Sequence, residues 1–245
     1  MIRLYSDDFG YSAKTDKGII RLIRGGKLFG ASVLSTMASS QSLAKLSLIL
    51  NRKNGFILGL HLNLIEGKPA RPYKKIKSLV DKKGHFLPLL FFSLKLLLGK
   101  INKVHVRSEI ESQLTKLLKS GLSVKMLDSH QHTHAFSPVA EVVVDLSRKY
   151  NIPYIRSFGT IKTYSLKARL TYAILKALAF LSYFVTYKKI GMPASWEVNQ
   201  EFDWTVMSWE GDSFDASTIN NSRSAFVIHP YLPYDTNRSY LKYIK

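Results

Sequence analysis

Short apolar runs rich in β-branched and aromatic residues alternate along this chain with stretches of helical spacing. Residues 2–6 predict a first strand that closes on Asp7 and Asp8. Residues 15–24 have helical spacing and stop at Gly25 and Gly26. A second strand is expected over 30–36 and a second helix over 42–51. Residues 56–64 (FILGLHLNL) form the strongest strand pattern, ended by the turn Gly67, Lys68, Pro69. Residues 107–120 place Ile110, Leu114, Leu117 and Leu118 on one face, as an amphipathic helix does. A strand at 124–129, a helix at 139–150 and strands at 153–158 and 225–229 complete the pattern. Strands alternating with helices predict βαβ units and an α/β fold with mainly parallel strands, open or closed as a (β/α) barrel.

Two segments break the rhythm. Residues 86–98 (FLPLLFFSLKLLL) are almost purely apolar and are flanked by Lys82, Lys83, Lys100 and Lys103. Residues 170–187 (LTYAILKALAFLSYFVTY) carry one charge, Lys176, and also have lysines on both sides. The first is too short to cross a bilayer. The second reaches the lower length limit, but its central lysine and its place between expected strands argue against a span. Two readings stay open for both: a helix packed into the core, or an interfacial segment with its apolar face in lipid and its lysines on headgroups.

Charge changes the picture more than length does. The 245 residues predict a single domain, spanning 1–245, and 46% hydrophobic residues suffice for a substantial core. Lys and Arg number 36 against 17 Asp and Glu, a formal net charge of +19. An excess of that size points to a polyanion, either nucleic acid or an anionic membrane surface. No zinc-finger spacing or RRM-like aromatic signature accompanies it, so no nucleic-acid partner is expected; of the two polyanions an anionic membrane surface, touched peripherally, fits better, and a soluble enzyme with a basic surface stays open beside it. Cysteine is absent, which excludes disulfides, thiolate zinc sites and thiol nucleophiles. The first eight residues carry charge where a signal peptide needs an apolar stretch, so a cytoplasmic protein is expected, at the inner face of the membrane where it makes that contact.

The chemistry-bearing residues gather where strands are expected to end. Asp7 and Asp8 close the first strand, and His61 lies in the strongest one. Asp128 lies at the end of the strand at 124–129, His130, His132 and His134 follow it, and His229 ends the last strand. In parallel α/β folds, sites assemble at the carboxyl ends of strands, so four clusters distant in sequence are expected to converge. Imidazole and carboxylate suit a divalent metal, and a metal of that kind acidifies water and polarises a carbonyl. Adjacent aspartates allow one to bind metal and the other to serve as general base. Taken singly, each feature has a plainer explanation: an Asp pair often only caps a helix, and a strand histidine is often structural. On a strand, His130, His132 and His134 would share a face.

The motifs SDDFGYS at 6–12, LGLHLNLIEGKP at 58–69, LDSHQHTH at 127–134, NIPYIR at 151–156 and IHP at 228–230 occur in one order across nearly the whole chain. In these the chain resembles the YdjC-like carbohydrate deacetylases, the family that includes chitooligosaccharide deacetylases. The resemblance implies a barrel-like fold, one divalent metal (magnesium or zinc), and hydrolysis of an N-acetyl group from an amino sugar or oligosaccharide. It implies Asp8, His61 and His130 as metal ligands, Asp7 as general base and His229 as the acid for the leaving amine. It implies Arg156, His132 and His134 as substrate-contacting or supporting residues. The substrate is a soluble or a lipid-linked sugar, and a homodimer is allowed for. The chain departs from the family at Tyr231, where glycine is usual after the proline, and at its end, Lys245, where relatives continue with another helix. A metal-dependent phosphoesterase is the alternative enzyme, since Asp/His clusters also serve phosphate chemistry, and a basic nucleic-acid-binding protein is the weaker one.

Overall fold

A computed structural model of the chain describes residues 3–156, 203–206 and 224–228. Seven strands form one sheet: β1 (Arg3–Phe9), β2 (Leu28–Val33), β3 (Ile57–Leu62), β4 (Met126–Ser129), β5 (Tyr154–Ile155), β6 (Asp203–Val206) and β7 (Ser224–Ile228). Their order across the sheet is β5-β4-β3-β2-β1-β7-β6, and every neighbouring pair is parallel. The expected α/β fold with parallel strands is therefore present. Among the described residues β5 and β6 are the two edges, so the sheet is an unclosed barrel-like layer. β6 was not expected, because four residues are too few to display a period. Residues 170–187 and His229 lie outside the described residues.

The helices form for local reasons that then serve packing. α1 (Ala13–Arg24) begins where the Ser12 side chain accepts the Thr15 N–H at 3.1 Å. It buries Ile19, Ile20 and Ile23 against the sheet and ends at Gly25. α2 (Ser40–Leu50) is capped by Ser39 in the same way. α3 (Leu89–Leu97) occupies the first apolar segment. α4 (Lys103–Lys119) is capped by Asn102 and buries Val106, Ile110, Leu114 and Leu117. Leu118, expected on that face, is instead exposed. α5 (Val139–Lys149) packs on α4 and covers the sheet with its valines.

Strand alternation divides the chain into two layers. Outward positions such as Leu4, Leu58, Leu60 and Leu127 join the large core beneath the helices. Inward positions form a second cluster of Tyr5, Ile57, Met126 and Val227. Two residues beyond Tyr5, Met126 and Tyr154 on their strands stand Asp7, Asp128 and Arg156. His61 lies likewise beyond Gly59, whose neighbour in the interior is Tyr5. A period of two therefore places all four polar residues on one face, above an apolar plug.

Candidate metal centre

β1 carries both aspartates, and its backbone does more than end there. The strand continues to Phe9 with a register shift against β2 between Ser6 and Phe9, and Asp8 has φ of +65°. Left-handed backbone at a non-glycine residue is costly and persists where the surroundings impose it. The irregularity lets consecutive carboxylates serve one buried site, which regular alternation would forbid.

His61 on β3 is the hub of that site. In register, it stands beside Asp128 on β4. Its Nδ1 lies 2.9 Å from Asp128 Oδ1 and 3.1 Å from Ser32 Oγ. Ser32 already donates its proton to Asp7 Oδ1 at 2.9 Å, so Nδ1 is the donor here. The Nε2 lone pair then faces Asp8 Oδ1 at 3.3 Å. Two acceptors at that distance need a cation between them, a proton or a metal. Burial by itself would lower the His61 pKa, but the Asp128 and Asp7 carboxylates outweigh it and raise it to about 10.

His130 meets the same Asp8 oxygen. Its Nδ1 lies 3.2 Å from Asp8 Oδ1, and its Nε2 lies 3.0 Å from Glu66 Oε2. Glu66 in turn accepts the Tyr11 hydroxyl at 3.3 Å. Each imidazole thus has one nitrogen toward Asp8 and the other backed by a carboxylate, which orients the ring as a ligand. The ligand atoms offered by Asp8, His61 and His130 all lie within 4.8 Å of one another, and all three residues are buried. Two imidazoles and a carboxylate match the donor chemistry of zinc and related divalent ions. The residues therefore fit a metal.

A second trio, Asp7, His61 and Asp128, is equally compact. It already holds a cation: Arg156 Nη1 and Nη2 each lie 2.7 Å from Asp7, and Nη2 lies 2.5 Å from Asp128 Oδ2. Burial alone would lower the Arg156 pKa, but the Asp128 and Asp7 carboxylates hold it above its usual range. A planar fork that fills this space leaves the Asp8 side as the place for an ion.

The remaining expected residues fall into place around this core. Arg156 is only 2% exposed, its guanidinium 5.2 Å above the Tyr5 ring, so it reaches the site through Asp7 and Asp128. His134 is buried, with Nδ1 2.5 Å from Ser129 Oγ and Nε2 donating to the Arg156 carbonyl at 2.9 Å. Burial lowers its pKa to about 4. His132 is half-buried beside it, and desolvation together with the neighbouring His134 and Arg156 lowers it to about 3. The three histidines do not share a strand face. Gln131 and His132 have φ of +51° and +58° inside a tight helical turn, and the His130 ring meets Asp8 and Glu66 while the His134 ring meets Ser129 and the Arg156 carbonyl. Ser32, Glu66 and the bracing role of Asp128 were not assigned from sequence. Glu66 and Asp128 lie inside quoted motifs, whereas Ser32 in FGASV carries no signal at all.

A family model described as YdjC-like protein matches residues 1–236. The carbohydrate deacetylase of Mus musculus is 32% identical over 153 residues, 62% of this chain and 48% of that protein. The carbohydrate deacetylase of Thermoanaerobacter pseudethanolicus is 30% identical over 165 residues, 67% of this chain and 63% of that protein. The matches thus span from about half to under two thirds of those relatives. A solved structure from Enterococcus faecalis, named for cellobiose-phosphate cleavage, aligns with a TM-score of 0.58 at 20% identity, covering 92% of this chain and 78% of that one. That likeness is one of fold.

Proposed function

Because the chain belongs to the YdjC-like family, we propose that it is a metal-dependent hydrolase that removes the N-acetyl group from an amino sugar or oligosaccharide and releases acetate. The observation that carries this reading is the convergence of the buried Asp8, His61 and His130 ligand atoms within 4.8 Å of one another, with both ligand histidines braced by carboxylates. The carbohydrate deacetylases that the chain resembles support the sugar substrate. Asp8, His61 and His130 would hold one divalent ion, magnesium or zinc, which when bound polarises the amide carbonyl and acidifies water.

The chain's own residues supply the rest. Asp7 accepts the proton of the attacking water, as general base. Arg156 and Ser32 fix its carboxylate from below, so its orientation is set before substrate arrives. His229 donates a proton to the departing nitrogen. In sequence it follows Ile228, the last residue of β7, which pairs with Ser6 beside Asp7. Arg156, His132 and His134 hold the substrate side of the site in shape, Arg156 through Asp7. We place the enzyme in the cytoplasm at the inner face of the membrane, acting on a soluble or lipid-linked amino sugar. Among the described residues no helix is long and apolar enough to cross a membrane.

Metal-loaded protein incubated with N,N′-diacetylchitobiose is expected to release acetate, and chelation to stop it. Phosphate release from sugar phosphates without acetate release would replace the deacetylase reading with the phosphoesterase one.

A further inference from the structure

α3 has no polar face. Phe92 is buried, and Leu89 and Leu96 pack against the core on the same side. The other side carries Leu90, Phe91, Leu94, Leu97 and Leu98, all exposed, with Leu97 at 71%. At 100° per residue these five make one stripe about 120° wide. Nine large hydrophobic residues are exposed among the described residues, and five of them are in this stripe. Concentration of that kind marks a surface that another body covers.

Charge says which body. Between Gly67 and Lys103 the chain carries ten Lys or Arg and one acidic residue, Asp81. Lys82, Lys83 and Lys100, on either side of the helix, are exposed. A second copy of the chain would bring the same positive charge against itself. An anionic lipid surface instead accepts both the apolar stripe and the basic rim. Nine residues give a helix about 13 Å long, far short of a hydrocarbon core of about 30 Å, so α3 lies along the interface rather than across it.

The helix is also tied to the site. The Phe86 N–H, three residues before α3, donates to the Gly67 carbonyl at 3.0 Å. Gly67 directly follows Glu66, which braces His130. We infer that α3 is a membrane-docking helix that lies in an anionic bilayer surface through Leu90, Phe91, Leu94, Leu97 and Leu98. It places the candidate metal centre within reach of a sugar carried on a lipid. The second statement rests on the deacetylase reading; the docking does not.

Co-sedimentation of the full chain with vesicles of phosphatidylcholine containing about 30% phosphatidylglycerol tests it. Binding is expected, at least about tenfold weaker on pure phosphatidylcholine and weakened again by about 0.5 M salt. The double substitution Leu94→Glu with Leu97→Glu is expected to cut vesicle binding at least about tenfold while acetate release from soluble N,N′-diacetylchitobiose is kept. Lys82→Glu with Lys83→Glu tests the basic rim separately, with loss expected only on anionic vesicles. Absence of sedimentation at low salt overturns the inference. So does undiminished binding of the leucine variant, which would move the contact to residues 170–187. A concentration-dependent dimer that the leucine variant dissolves would assign the stripe to a second copy. Vesicle binding without acetate release would instead sink the deacetylase reading and leave the docking intact.

Discussion

Asp7 and Asp8 are neighbours with different surroundings, and the surroundings assign their work. Asp8 faces two imidazole nitrogens, whereas Asp7 is gripped by a guanidinium and a serine. Asp7→Asn is therefore expected to lower turnover by about 10²–10⁴. The same variant should hold metal affinity within about tenfold, because the Asp8, His61 and His130 atoms are untouched. Near-normal acetate release by that variant would end the base assignment. Glu66→Gln removes the charge behind His130 at a position that is not fully buried, so the fold should survive. Metal affinity by calorimetric titration is expected to fall about 10–100-fold. Unchanged affinity would take Glu66 out of the site. Legibility differed sharply among these residues. Asp8, His61 and His130 stood out as types and as motif positions. Ser32 did not, because one serine in an apolar strand has no pattern, and only its placement between Asp7 and His61 makes it matter.

At the scale of elements, β2 and β3 meet β1 through glycines. A Cβ on Gly30 would stand 2.4 Å from the Ile57 carbonyl and 2.5 Å from the Tyr5 ring. One on Gly59 would stand 2.5 Å from the Tyr5 hydroxyl. The Tyr5 ring fills the interior at this level and carries Arg156 on its face. Gly30→Ala is expected to cost about 1–3 kcal/mol through overpacking. Thermal unfolding should report the loss, and an unchanged midpoint would show that the interior yields more than its close contacts suggest. Most elements were readable from hydrophobic period and capping residues: α1 from its spacing and the two glycines after it, α4 from its leucines. β1 was expected to stop at Asp7 and Asp8. It runs on to Phe9 because a register shift and left-handed Asp8 absorb the extra residue. The turn at 130–135 could not be read either, since alternating histidines look like a strand until Gln131 and His132 take positive φ.

At the scale of the whole molecule, buried histidines of opposite shift set the pH dependence of stability. His134 has a folded pKa of about 4 against an ordinary 6.5, so on acidification the unfolded chain takes up that proton first. Its contribution is lost as pH falls from about 6.5 to about 4, by up to ~1.4 kcal/mol per pH unit. His61, raised to about 10, keeps a proton that the unfolded chain releases. That contribution is complete below about 6.5 and is lost as pH rises toward 10. The metal-free protein is thus expected to be most stable near pH 6.5, with a lower urea midpoint at pH 5 and at pH 9. A bound divalent ion replaces the His61 proton and should flatten the alkaline side. A metal-free midpoint that climbs steadily to pH 9 would contradict the His61 environment. The amino-acid sequence by itself determined the alternation of strands and helices, and hence the parallel α/β sheet. It also determined the residue types at strand ends, because period and composition are local properties. Tertiary structure alone decided which trio is free for a metal, since only folding brings Arg156 onto Asp7 and Asp128 and leaves Asp8 facing two imidazoles. It also decided that one face of α3 stays uncovered among the described residues, because an apolar run reads the same whether the core takes all of it or half.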